Sequence, residues 1–229
     1  HGIINKTETG IGATTLELKS GRNSIIVEPL KITASSKAYK QTEKGRKCLY
    51  VGSETNYHPI RSRKKEILAY LDDSTILYKK FIVVADSLPG LMNVLEEVKR
   101  LDFFFLLDEI DSFQEDSTFR TSMEHCMDYY KKWNPLKRAL TTATLLHFSD
   151  PSLKDEPETI FEYEKSSNNT IHLFPTDNLQ EASIALIRYI LENTTDKVVV
   201  AYISVDVNVK IAKCLVSNSI CSATDIGIL

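Results

Sequence analysis

The sequence predicts an α/β protein built on a doubly wound parallel sheet. Three observations carry this reading. Short, continuous runs of β-branched and aromatic residues recur along the chain. Each is separated from the next by a longer polar stretch, and several of these stretches carry apolar residues at helical spacing. The strand-like runs do not alternate apolar with polar, so both of their faces should be covered, as in a parallel sheet between two helical layers. Strand–helix alternation of this length gives right-handed βαβ units.

The elements follow in order. Residues 2–5 form a short strand, then a Gly-rich turn, then a helical stretch holding Leu16 and Leu18. Residues 24–27 read as a buried strand ending at Glu28-Pro29, and 49–51 as a second run. A helix over 64–71 places Ile67, Leu68 and Leu71 on one face. Residues 81–84 are strand-like, and a helix over 90–101 lines up Leu91, Val94, Leu95 and Val98. Residues 103–107 run straight into Asp108-Glu109. A helix over 118–133 aligns Phe119, Met123, Cys126, Met127 and Tyr130, and 140–143 is a weaker strand. Residues 149–169 change character, with Asp150-Pro151, Glu156-Pro157 and a Ser-Ser-Asn-Asn run. The expected division is a first domain over 1–150, a linker over 151–170, and a partial second domain over 171–229. That last part carries a helix over 179–191, a strand over 198–203 and a helix near 207–215. About 60 residues cannot complete an α/β domain of the first one's size.

Composition narrows the function. The chain has 229 residues, 42% hydrophobic and 26% charged, with a net charge of -3. That is ordinary globular usage, and it excludes a disordered or collagen-like chain. It also excludes a uniformly basic nucleic-acid coat, so any nucleic-acid contact must be a local patch. No apolar run reaches the about 18 residues a membrane span needs. Cys48, Cys126, Cys214 and Cys221 show no metal-binding spacing and read as reduced thiols of a cytoplasmic protein. The opening HGIINKTETG has no initiator Met, basic region or apolar leader, so the sequence reads as a fragment or processed product. Asn168-Asn169-Thr170 matches a glycosylation sequon, without consequence in a chain read as cytoplasmic.

Three stretches carry chemistry. Thr9-Gly10-Ile11-Gly12-Ala13-Thr14-Thr15 lies between a strand and a helix. Glycines there let backbone amides approach phosphates, and the start of a helix favours an anion. The Thr14 hydroxyl is placed to help hold Mg²⁺. The apolar strand ending in Asp108 and Glu109 puts one carboxylate near a metal and another near an attacking water. Leu140-Thr141-Thr142-Ala143-Thr144 follows as a polar strand end.

In this order the stretches resemble the first RecA-like domain of superfamily 2 DEAD/DEAH-type helicases. The residues that carry the resemblance are TGIGAT, the strand end Val27-Glu28-Pro29, Val83-Val84-Ala85-Asp86-Ser87-Leu88, DEID and TAT. It covers about residues 2–151, and the strand and helix near 197–215 resemble the opening of the second such domain. The resemblance implies a P-loop, RecA-like fold, with ATP and Mg²⁺ as cofactors. It implies nucleotide contacts from Thr9, Gly10, Ile11, Gly12, Ala13, Thr14 and Thr15, and metal ligation by Thr14 and Asp108. Asp108 and Glu109 would be catalytic. Thr142, Ala143 and Thr144 would couple nucleotide state to the second domain. Pro29, Lys31 and Ser87 would touch nucleic acid, DNA or RNA, without sequence readout. The rest of a second domain would be a partner, and no membrane is implied.

Two departures qualify this. The phosphate loop has Ala13 where the family's Lys stands, and the family's late motifs, with their arginine fingers, are missing. Lys6, at the end of the first strand, is the candidate replacement, by analogy with P-loop ATPases whose basic residue comes early in the loop. Two alternatives stay open: a non-catalytic nucleotide- or nucleic-acid-binding module of the same fold, and a terminase-like packaging ATPase.

A basic region supports nucleic-acid binding: Lys31, Lys37, Lys40, Lys44, Arg46 and Lys47, then Arg61, Arg63, Lys64 and Lys65, interleaved with Tyr39 and Tyr57. Such a mix suits sugar-phosphate contacts, and it reads equally as a solvated loop and helix face. His125, His58 and His147 have no accompanying ligand pattern, and Ser87 and Ser204 no nucleophile motif.

Overall fold

A computed structural model of the chain describes residues 1–45, 47–95, 100–116 (backbone alone for 114–116), 121–144, 148, 150–162, 172–195, 197–201 and 204–227. The strands are β1 (Gly2–Asn5), β2 (Asn23–Glu28), β3 (Leu49–Val51), β4 (Lys80–Val84), β5 (Phe103–Leu107), β6 (Arg138–Thr142) and β7 (Glu158–Ile160). They form one parallel sheet in the order β3-β4-β2-β5-β6-β1-β7. Helices α1 (Ala13–Lys19), α2 (Lys31–Glu43), α3 (Lys64–Asp72), α4 (Leu88–Val94), α5 (Ile110–Asp116) and α6 (Thr121–Lys132) belong to the same body.

The continuous apolar strands are explained by two cores, one on each face. Ile25, Val27, Phe81, Val83, Phe103, Phe105 and Leu107 point to one side, where they meet Ile67 of α3, Leu88, Leu91 and Met92 of α4, and Met123, Cys126 and Tyr130 of α6. Ile26, Ile82, Val84, Phe104 and Leu106 point to the other, against Leu18 of α1 and Ala34 and Ala38 of α2. Alternate side chains of one strand therefore serve opposite layers, which is the doubly wound arrangement. Burying each large side chain contributes about 1.5–3 kcal/mol.

The helices dock through stripes. Helix α2, which the sequence marks only by its basic residues, buries Ala34, Ser35, Ala38 and Gln41. These small or narrow side chains at helical spacing let its backbone lie close to the sheet. Helix α6 buries Met123, Cys126 and Tyr130. Just beyond it, Trp133 stacks on Phe105 at 4.9 Å, and its indole donates to the Phe103 carbonyl at 3.0 Å. The helix expected over 90–101 starts earlier, at Leu88, and is described to Val94; residues 96–99 lie outside the described set. The strand expected over 140–143 runs instead from Arg138 to Thr142.

The segment expected to be linker contributes to the sheet. Glu158, Thr159 and Ile160 pair in parallel with Ile3, Ile4 and Asn5. Ile3 N–H donates to the Pro157 carbonyl at 2.8 Å, and Phe161 N–H to that of Asn5 at 2.9 Å. Arg138 also pairs with Glu156, with its guanidinium 4.5 Å from the centre of the Tyr130 ring. The chain accordingly divides into compact units His1–Lys165 and Ser166–Leu229. The sequence hid β7 because its three residues are exposed and carry no apolar run.

The second unit, taken by itself, holds α7 (Leu179–Asn193) and α8 (Val205–Ser217), packed through Ile187, Ile211 and Leu215. Of the strand expected over 198–203, residues 198–201 are described and form no strand, and 202–203 lie outside the described residues. Val198 packs instead against the helix pair, and no strand is described in this unit to complete its hydrogen bonds.

Candidate functional site

In a parallel sheet all carboxyl ends share one edge. The chain leaves β1 toward β2 on one side, and leaves the adjacent β6 toward β7 on the other. Ligand crevices in such sheets form where connections diverge in this way. Lys6 follows β1, Asp108 and Glu109 follow β5, and Thr141 and Thr142 end β6, which lies between them. Backbone bonds fix the positions: Lys6 N–H donates to the Thr142 carbonyl at 2.7 Å, and Asp108 N–H to that of Val27 at 3.0 Å.

Asp108 is the hub. Its Oδ1 accepts from the Thr141 hydroxyl and lies 3.3 Å from Lys6 Nζ. Its Oδ2 accepts from the Thr14 hydroxyl and from Lys37 Nζ at 2.8 Å. Lys6 also reaches Glu109 Oε1 at 2.7 Å. Lys37 Nζ lies 3.1 Å from the Thr14 hydroxyl oxygen and 2.8 and 3.0 Å from the two Glu28 oxygens.

These charges polarise one another. Burial opposes the charge on Asp108, but the Lys37 and Lys6 ammoniums outweigh it and hold the carboxyl well below its usual range. Glu28 goes the opposite way. Burial, reinforced by the Asp108 charge, pushes it up to about 8 against the pull of Lys37. Burial also works to lower both lysines, and the facing carboxylates raise them instead: Asp108 and Glu109 for Lys6, Glu28 and Asp108 for Lys37.

The loop before α1 has the backbone that its glycines allow. Gly10 has φ +77° and Gly12, the helix N-cap, φ +93°, a left-handed region that costs other residues. Two non-glycine residues beside the site also sit there, Thr7 at φ +53° and Glu109 at φ +56°. Such strain of about 1–3 kcal/mol per residue persists only where the surroundings enforce it, and it clusters at functional positions.

The structure thus joins four of the expected site residues directly: Lys6, Thr14, Asp108 and Glu109. Thr9, Gly10, Ile11, Gly12, Ala13 and Thr15 form the adjoining loop and first helical turn. Thr142 faces α5, its hydroxyl 2.8 Å from Asp111 Oδ1, and Thr144 N–H donates back to it at 3.0 Å; Ala143 sits between them. Asp111 thereby ties the end of β6 to the helix that follows Glu109.

The expected nucleic-acid residues lie on the same edge but along β2, β4 and β3. Lys31, Arg61 and Arg63 are exposed, Ser87 is half-buried and Pro29 is buried. The basic region itself is divided. Helix α2 carries the chain back across the sheet, so Lys44 and Lys47 reach the opposite edge, where Lys47 binds Asp73 at 3.3 Å and Thr75 at 2.9 Å. Lys37 turns its ammonium into the acidic centre. Arg46 and His147 lie outside the described residues. His125 is exposed on α6, whereas Cys126 is buried in the core.

Sequence reasoning missed Lys37, Glu28 and Thr141 as members of the site. The only local signal was Glu28 closing an apolar strand as Asp108 does.

Asp108 and Thr14 are the residues here that could hold a magnesium ion, since they present adjoining hard oxygens. Both Asp108 oxygens already accept from Lys6, Thr14, Lys37 and Thr141. Among the described residues no three His, Cys, Asp or Glu side chains gather into a metal cage. Among the described residues no helix is long and apolar enough to cross a membrane. No model of a known protein family matches the chain, and no curated protein matches it.

Proposed function

We propose that this chain is a P-loop, RecA-like motor domain of the helicase or translocase type. It binds ATP with Mg²⁺ and acts on DNA or RNA without reading sequence. The observation that carries this is the bond from Thr14, just past the Gly10–Gly12 loop, to Asp108 at the end of β5. One hydroxyl and one carboxylate, 94 residues apart, meet over the crevice with Lys6 beside them.

In this reading Gly10, Ile11, Gly12 and Ala13 line the phosphates with backbone amides. Thr14 and Asp108 would hold a magnesium ion, which would supply charge neutralisation at the phosphates. Glu109, half-exposed at the crevice, takes the proton of the attacking water. Thr142 and Thr144, tied to Asp111, report the state of the site along β6. Lys31, Arg61, Arg63 and Ser87 supply the rim for a phosphate backbone.

One contact favours a second reading, binding without turnover: the Lys6 ammonium lies 2.7 Å from Glu109 Oε1 and so occupies the oxygen that an attacking water would need.

Titration with a fluorescent ATP analogue, with and without Mg²⁺, paired with phosphate release, tests both. Magnesium-dependent binding is expected, with Glu109→Gln binding as wild type does and losing most of the turnover. An unchanged turnover in Glu109→Gln would refute its role. Binding with no turnover in wild type selects the second reading. No binding at millimolar nucleotide refutes the nucleotide site.

A further inference from the structure

We infer that Lys37, from the middle of α2, supplies the phosphate-facing ammonium that the loop lacks at Ala13. This rests on the nucleotide reading of the site and names a residue which that reading leaves out.

Two ammoniums reach the centre, and their settings differ. Lys6 lies beneath the site, its side chain only 4% exposed, between Asp108 and Glu109. Lys37 is 29% exposed, so its side chain reaches solvent where that of Lys6 does not. It also approaches the loop itself: its Nζ is 3.1 Å from the hydroxyl of Thr14, the residue next to Ala13. A lysine at position 13 would start one residue before that hydroxyl, at the end of the loop itself. Lys37 brings the charge from another helix instead, with Glu28 anchoring it from below.

The hydrogen-bond count allows the role. An ammonium has three N–H donors. Four oxygens surround this one: two of Glu28, one of Asp108 and the Thr14 hydroxyl. The Thr14 hydroxyl gives its own proton to Asp108. A phosphate oxygen at the loop can therefore accept one N–H of Lys37 in place of Thr14, while one N–H stays on Glu28 and one on Asp108. Asp108 keeps its counterion, and the hydrogen bond formed to the phosphate is charge-assisted.

The test compares ATP with AMP, because a phosphate-facing cation discriminates between them and a merely structural one does not. Equilibrium titrations of both nucleotides, with Mg²⁺, would be run on wild type, Lys37→Met, Lys37→Arg and Lys37→Met/Ala13→Lys. Lys37→Met should weaken ATP at least tenfold, equivalent to about 1.4 kcal/mol, and change AMP by less than twofold. Lys37→Arg keeps the charge and should stay within about threefold of wild type for ATP. Ala13→Lys should recover most of the ATP affinity lost by Lys37→Met. The inference is overturned if Lys37→Met binds ATP as wild type does, or if it weakens ATP and AMP alike. If Lys37→Met fails to fold, Lys37→Gln/Glu28→Gln, which removes the buried carboxylate with its partner, is read by the same two criteria. Failure of wild type to bind ATP overturns the nucleotide reading and this inference together, whereas wild-type binding that is indifferent to Lys37 overturns the inference alone.

Discussion

Glu28 should make the protein lose stability as the solution becomes alkaline. Its carboxyl is fully buried and faces Lys37 from α2 and, across that ammonium, Asp108 just after β5, with the charge of Glu109 adding to that of Asp108. One ammonium lies between two carboxyls. Asp108 keeps its charge and Glu28 holds its proton up to about 8. In an unfolded chain a glutamate titrates near about 4.3. Between those values the native state binds one proton more than the unfolded state, so stability falls as pH rises, by about 1.4 kcal/mol per unit. From about pH 6 to pH 8 the native carboxyl stays mostly protonated until the end of the interval, and the loss integrates to roughly 2 kcal/mol. Glu28→Gln keeps the shape and the acceptor for Lys37 but binds no proton. Urea unfolding of both proteins at the two pH values isolates the effect, because every other titrating group cancels in the double difference. Wild type should lose about 2 kcal/mol more than the variant. Equal losses would refute the placement of a protonated carboxyl beside Lys37.

Two further outcomes follow from the loop and the rim. Gly12→Ala forces a Cβ into a left-handed N-cap at φ +93° and should cost about 1–2 kcal/mol in denaturant unfolding; unchanged stability would mean that the loop does not hold this backbone. Single-stranded nucleic acid should bind weakly through Lys31, Arg61 and Arg63, with an affinity that falls steeply with salt in a fluorescence anisotropy titration and ignores sequence. Salt-independent binding, or none at low salt, would count against the rim.

Much of the fold was legible because β2, β4 and β5 are apolar on both faces, and only a two-sided core asks for that. Helix α3 appears where its apolar spacing placed it. Helix α2 was harder to see, because its buried stripe is made of Ala, Ser and Gln, which carry little hydrophobic signal. Strand β7 was invisible for a stronger reason: its pairing uses backbone atoms, which every residue has. The reverse error, the strand expected over 198–203, came from a run of valines that had β propensity but no described neighbour to pair with. In the site, Asp108 and Thr14 were read from local motifs. Lys37 was not, because its partners lie 9, 23 and 71 residues away in sequence, and a helix rotated by one residue would have sent it to solvent.

The pairing of β7 with β1 decides where this protein can be shortened. Cutting after residue 150, where the sequence changes character, would strip one side of the strand that leads into Lys6 and the glycine loop. Its outward N–H and C=O groups would become a bare template for strands of other copies, a common origin of self-association. The same cut would leave Arg138 without Glu156 at the start of β6. Retaining the chain through Phe161, whose N–H closes the ladder on Asn5, keeps β1 interior, and the crevice stays mounted on a strand held from both sides.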